Sequence, residues 1–169
     1  MRVLGIDPGH SGGAVVWDGT SVLQCVEWRR VDNGYRIRTA PRRSWTVADL
    51  FLTTVQIGRL VDLETIDVVV LEALYIPRSA MGYASVLRAA EARGILSQLH
   101  MWSTAELHEP RATQWRKKVF GSGAGNRNQS KQNARRHAKA YPGVTLPKSD
   151  HVCEALCLAQ YGSMMCSDL

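Results

Sequence analysis

Five residues in this chain have the types and spacing to act together on a phosphate ester: Asp7, Glu72, Asp150, His151 and Glu154. Asp7 closes the short apolar run that starts at Arg2, and Pro8-Gly9 follows it at once. Glu72 comes directly after the run Val68-Val-Val-Leu71. The other three stand together near the C-terminus, where His151 and Glu154, at i and i+3, would share a helix face. Asp150 and Glu154, at i and i+4, would do the same. Carboxylates gathered in one place repel each other unless a divalent cation neutralises them. Mg²⁺ is the natural choice for carboxylate and water ligands, with Mn²⁺ as a substitute. Two such ions ~3.5–4 Å apart can activate a water and stabilise a departing oxygen, which is the chemistry of phosphodiester hydrolysis. Taken singly, each acid has an ordinary explanation. An Asp at a strand end commonly caps a turn, and Asp150 could complement the dipole of the helix it opens. Glu72 is the hardest to dismiss, because a buried strand rarely ends on an unpaired acid.

These residues need elements that bring them together. Arg2 to Asp7 reads as a strand, with Gly12-Gly13 leading into a second over Ala14 to Trp17. Asp18-Gly19 is a hairpin signal before a third strand over Ser21 to Trp28. Residues 29 to 44 are polar and Arg-rich, and predict a loop or an irregular hairpin with a turn at Asn33-Gly34. Trp45 to Leu63 carries apolar residues near helical period, with Thr46 as N-cap. Asp67 to Leu71 predicts a central, parallel strand buried on both faces. Ser85 to Leu99 predicts a helix, with Gly94 as a point where another element approaches. Trp102 to Leu107 is a weak strand, and Thr113 caps a short helix through Val119. A basic helix is expected from Asn128 to Ala140, and Ser149 caps a last helix from Asp150 to Met164. Trp102 and Trp115 are expected in the core. A β-hairpin group followed by alternating strands and helices implies one α/β domain over 1–169, built on a mixed sheet. In such sheets the functional crevice lies beyond the carboxyl ends of the strands.

Charge narrows the partner. The net charge is +6, yet Pro110 to Ser149 contains ten cations and no acid, so the rest of the chain is net negative. A solvated surface mixes both signs, so a one-signed segment of this length points to nucleic-acid phosphates. Four cysteines, at 25, 153, 157 and 166, form no CxxC pair. His151 with Cys153, Cys157 and Cys166 does not have a zinc-site spacing, and reduced thiols in a soluble, cytoplasmic protein are expected. The start of the sequence does not resemble a signal peptide, and no apolar run reaches the ~18 residues that span a bilayer. Residues 121 to 125, Gly-Ser-Gly-Ala-Gly, lack the Lys-Ser/Thr of a phosphate-binding P-loop.

The motifs carry a family resemblance. Gly5-Ile6-Asp7-Pro8-Gly9 with Gly12-Gly13 resembles the opening motif of the RuvC family of Holliday junction resolvases. Val70-Leu71-Glu72-Ala73-Leu74-Tyr75 is similar to the family's second acidic strand. Leu87 to Leu96 resembles its small-residue helix, and Asp150 to Ala159 its last helix, which normally reads D/H-x-x-D-A-L-A. This chain departs from the pattern with Glu154 in place of the usual Asp. His151 falls on the preceding ligand position, and Asp150 beside it is the alternative.

The resemblance implies an RNase H-like, RuvC-type mixed β-sheet flanked by helices. It implies a Mg²⁺-dependent endonuclease acting on four-way DNA junctions as a homodimer, by paired nicks with 5′-phosphate and 3′-hydroxyl ends. Asp7 would bridge two ions, Glu72 and Glu154 would hold one each, and His151 or Asp150 would complete the site. Lys131 matches a basic position near the family's active site and could stabilise charge on the phosphate. Tyr75 or Arg78 could form a wedge at the strand-exchange point by stacking on a base, although Tyr75 could equally be a core residue. Arg127, Lys131, Arg135 and Arg136 in one stripe, and Arg116, Lys117 and Lys118 in another, are the expected DNA contacts. Any helicase or replication partner is unspecified. Two other classes share these features: another RNase H-like nuclease acting on RNA or flaps, and a junction-binding protein without catalysis. An actin-like ATP-binding protein shares the D-x-G turn, but would need a second phosphate loop and a longer chain.

Overall fold

The computed structural model describes residues 1–9, 11–31, 34–40, 45–48, 58, 62–74, 83–121, 125–141 and 149–167. Seven strands form one sheet: β1 (Val3–Asp7), β2 (Gly12–Trp17), β3 (Val22–Val31), β4 (Gly34–Ala40), β5 (Trp45–Ala48), β6 (Val68–Leu71) and β7 (Glu106–His108). Their order is β5-β4-β3-β2-β1-β6-β7. The first five pair antiparallel in a meander, whereas β6 lies parallel to β1 and β7 parallel to β6. Four α-helices, α1 (Tyr83–Ser97), α2 (Ala112–Phe120), α3 (Arg127–Ala138) and α4 (Asp150–Ser167), and two short 3-10 helices, Leu63–Thr65 and Gln98–Trp102, complete the described fold.

The period-2 alternation of the strands builds two cores. On β1 and β6, Val3, Val68 and Val70 join the cluster that contains Val152, Leu156 and Ala159 of α4. Leu4, Ile6, Val69 and Leu71 point the other way, toward Leu96 of α1 and Leu99 just beyond it. The same alternation assigns Asp7, two residues past Gly5, and Glu72, two past Val70, to the face that α4 covers. Parallel pairing of Ile6 with Leu71 sets these two acids at adjacent strand ends, and the Glu72 amide donates to the Ile6 carbonyl.

Helix α4 reaches the sheet because two glycines leave room for it. A Cβ on Gly5 would collide with the Ala155 carbonyl and the Ala159 amide, and one on Gly13 would lie 2.8 Å from the backbone of His151 and Val152. Ten residues of α4 are buried as a result.

Several expectations are corrected. Trp45–Ala48 does not begin a helix; it pairs with β4 as an edge strand, because Trp, Thr and Val fit a pleated surface. Most of the remaining proposed helix, 49–57 and 59–61, lies outside the described residues. Of the two forms expected for the Arg-rich stretch, the hairpin is the one found, and its ladder of β3 on β4 is regular; Arg36 and Arg38 alternate with Ile37, which is buried. Arg111, not Thr113, precedes the first turn of α2, where the Gln114 side chain accepts from its backbone amide. Gly94 has open space where its Cβ would be.

Candidate active site

Asp7 leaves β1 into the Pro8-Gly9 turn, and that turn is pinned from below. The buried indole of Trp28 donates to the Gly9 carbonyl at 2.9 Å. Asp7 pairs with Gly13, and Gly13 pairs in turn with Glu27. Because Gly13 has no side chain, the first turn of α4 rests on it, and His151 comes down beside Asp7. His151 Nδ1 donates to Asp7 Oδ2 at 2.6 Å. One helical turn on, Glu154 faces the same place. Ligand atoms of Asp7, His151 and Glu154 all lie within 4.8 Å of one another.

The electrostatics of this trio is strained. Asp7 and Glu154 are each 8% exposed. Burial, then the charge of Asp7, then that of Glu72, push the Glu154 carboxyl up to about 7 despite Arg116. The hydrogen bond to Asp7 raises His151, against the effect of burial. An imidazolium on Asp7 neutralises one carboxylate and leaves the other paying for its burial. Two carboxylates and an imidazole that crowd each other in this way fit a divalent cation, whose charge would relieve the repulsion.

Glu72 stands next to the trio but outside it. Its Oε1 accepts from the indole Nε1 of Trp115 at 3.1 Å. Arg116, the following residue, approaches Glu154 Oε1 at 3.4 Å, with its guanidinium over the Trp115 ring. Arg116 therefore belongs to the acid cluster and not to the exposed stripe of Lys117 and Lys118. Asp150 also departs from expectation. It turns away from the trio and pairs with Lys131 at 3.2 Å and with Arg135. Burial would raise its carboxyl, but the hydrogen bonds from Arg135 and Lys131 outweigh that and hold it below the usual range. Of the two candidates for the last position, the structure brings His151 and not Asp150 to Asp7.

Lys131 sits between Asp150 and the acid cluster, close enough for its charge to act on both His151 and Glu154. Arg135 and Arg136 are exposed on α3. Tyr75 and Arg78, and the side chain of Arg127, lie outside the described residues.

Sequence reasoning missed three features. Glu27 is a fully buried acid that accepts from Arg29 Nε at 2.9 Å and from Arg38 Nη2 at 2.5 Å. Burial would raise it, yet these bonds, with a further one from Ser149, hold it below the ordinary value. It anchors the residue before α4. The signal was an acid at a period-2 position flanked by arginines on the same face of its own and the neighbouring strand. Arg29 also lines a cleft of about 330 Å³ next to the trio, with Ser11, Arg135, Ser149, Asp150 and His151. The third feature is the Trp115 indole. A fully buried Trp normally finds an acceptor for its N–H, and an acid-free neighbourhood in sequence means that the acceptor comes from elsewhere.

Comparison with known proteins supplies the family. The family model described as "Crossover junction endodeoxyribonuclease RuvC" matches residues 3–161. The chain belongs to the RuvC family. Its function is accordingly that of a crossover junction endodeoxyribonuclease, a resolvase of Holliday junctions. Among solved structures, RuvC of Thermus thermophilus is 13% identical over 99% of this chain and 96% of that one, with a TM-score of 0.58. A second structure, T. thermophilus RuvC in complex with Holliday junction substrate, is 12% identical over the same shares, with a TM-score of 0.63. At these identities the likeness shows the RNase H-like fold. The sequence matches no curated protein. None of the described helices is long and apolar enough to cross a membrane.

Proposed function

We propose that this RuvC family member is a Mg²⁺-dependent, structure-selective endonuclease that resolves four-way DNA junctions by paired nicks, with Asp7, Glu72, His151 and Glu154 as its metal-holding residues. The observation that carries the reading is the meeting of Asp7, His151 and Glu154 within 4.8 Å at the end of β1 and the start of α4, with Glu72 at the adjacent strand end. Mn²⁺ would substitute for Mg²⁺, since carboxylate and water ligands suit both ions. When bound, the ions would supply a hydroxide-like nucleophile and charge compensation for the departing oxygen.

The chain's own residues do the rest. Asp7 holds the imidazole of His151 in a fixed orientation, so His151 can ligate or orient a water rather than rotate freely. Lys131, already next to the acids, offers an ammonium to the transferred phosphate. Arg29 and Arg135, on the rim of the adjoining cleft, would grip flanking phosphates, while Lys117, Lys118 and Arg136 extend the basic surface. A homodimer would present two such sites to a junction of near two-fold symmetry. Leu87 on α1 and Met101 beyond it are 51% and 73% exposed, two apolar side chains that a second copy could cover.

The test is a synthetic four-way junction with wild type and Asp7→Asn, compared with linear duplex and RNA–DNA hybrid. Junction binding is expected to persist in the mutant while metal-dependent nicking is lost. Unchanged cleavage by Asp7→Asn would overturn the site, and preferred cleavage of the hybrid would reassign the substrate.

A further inference from the structure

Trp115 is fully buried, yet its one polar atom points at an acid of the site. The indole lies in the cluster that contains Val152 and Leu156 of α4. Its edge meets Phe120 at 5.8 Å, and the Arg116 guanidinium covers its face at 5.0 Å. A ring held on all sides cannot swing, so its N–H has a fixed direction. That direction leads to Glu72 Oε1, 3.1 Å away. Glu72 itself has left β6: its backbone is tied to Ile6, but its side chain has several rotatable bonds to settle.

We propose that Trp115 is a positioning residue that sets the Glu72 carboxylate for divalent-cation binding before the ion arrives. The inference rests on the metal-site reading above and adds a residue to it. A ligand that is already oriented does not have to be ordered on binding, so affinity is gained without a new contact to the ion. Partners that orient metal ligands typically account for a 10–100-fold change in metal affinity. The plainer alternative is that Glu72 merely satisfies a buried donor; in that case the bond would leave metal affinity alone.

Trp115→Phe keeps an aromatic ring in the core and deletes the donor. Free Mn²⁺ measured by electron paramagnetic resonance, without DNA, gives the dissociation constant directly. The constant should rise by about 10–100-fold in Trp115→Phe, and nicking should recover at saturating Mn²⁺. Equal affinity in the folded variant, or nicking that stays low at saturating metal, would overturn the proposal. In the wild type, the Trp115 indole N–H resonance, assigned through the contact of its ring with Phe120, should shift when Mg²⁺ is added and again in Glu72→Gln. This measurement decides the matter even if Trp115→Phe fails to fold, since a resonance unmoved by saturating Mg²⁺ refutes the idea. Wild type that takes up no Mn²⁺ would bring down the metal site itself, a separate and recognisable failure.

Discussion

Replacing Glu154 by Gln should stabilise the metal-free protein while abolishing its activity. The Glu154 carboxyl titrates at about 7 instead of its ordinary 4.5, chiefly because burial disfavours the charge and Asp7 repels it. An acid raised in the folded state leaves stability intact below its unfolded value and loses it as pH rises through the folded one. A displacement of this size corresponds to about 3 kcal/mol at pH 8, as an upper bound. Gln resembles the protonated acid in shape and charge, and its oxygen can still accept from Arg116. Glu154→Gln should therefore match wild type near pH 4.5 and exceed it by up to about 3 kcal/mol at pH 8. In a domain of this size that is roughly 6–12 °C in midpoint. The assay is thermal unfolding in EDTA across that pH range, with a urea titration at both ends. A gap that is absent at pH 8, or equally large at pH 4.5, would refute the reasoning. Adding Mn²⁺ at pH 8 should reverse the ranking, since only the wild type would gain from an ion bound to its native state.

Two further outcomes follow from the packing. Gly5→Ala would drive a methyl group into the Ala155 carbonyl and Ala159 amide of α4. Overpacking of this kind costs about 1–3 kcal/mol or more, so a lower midpoint together with weaker Mn²⁺ binding is expected; an unchanged midpoint would mean that α4 does not lie as tightly on β1 as described. Burial pushes the Cys153 thiol up to about 11 and raises Cys157 well above the ordinary thiol range. At pH 8 a disulfide reagent should label Cys166 first in the native state and reach Cys153 and Cys157 only on unfolding, and rapid mass-spectrometric detection of label on either would contradict their burial.

Much of this molecule is legible in its sequence, and the failures have a common origin. β1, β2 and β6 are uninterrupted apolar runs that end at Gly, Pro or an acid, so their extents and the strand-end acids can be read directly. β4 is harder to see because arginines stand on either side of the buried Ile37 and hide its apolar alternation. The uncertainty between Asp150 and His151 is one of helix phase. Successive residues on a helix are turned by about 100°, so one position decides between facing Gly13 and facing α3. Only the seat of α4 on the sheet fixes that choice. Arg116 shows the same effect: with Phe120 one turn ahead it borders the core, whereas Lys117 and Lys118 face away. Glu27 was missed for a different reason. A buried acid is legible only through its counter-charges, and of its two only Arg29 shares its strand, whereas Arg38 comes from the next one.

The helix that carries His151 and Glu154 is also the middle of one hydrophobic layer, with ten of its residues buried. Two of the groups proposed to do the chemistry thus ride on a segment that cannot open without exposing that layer. Amide hydrogens along α4 should exchange only through global unfolding, and a lesion anywhere along its length would be felt at the phosphate-cutting end.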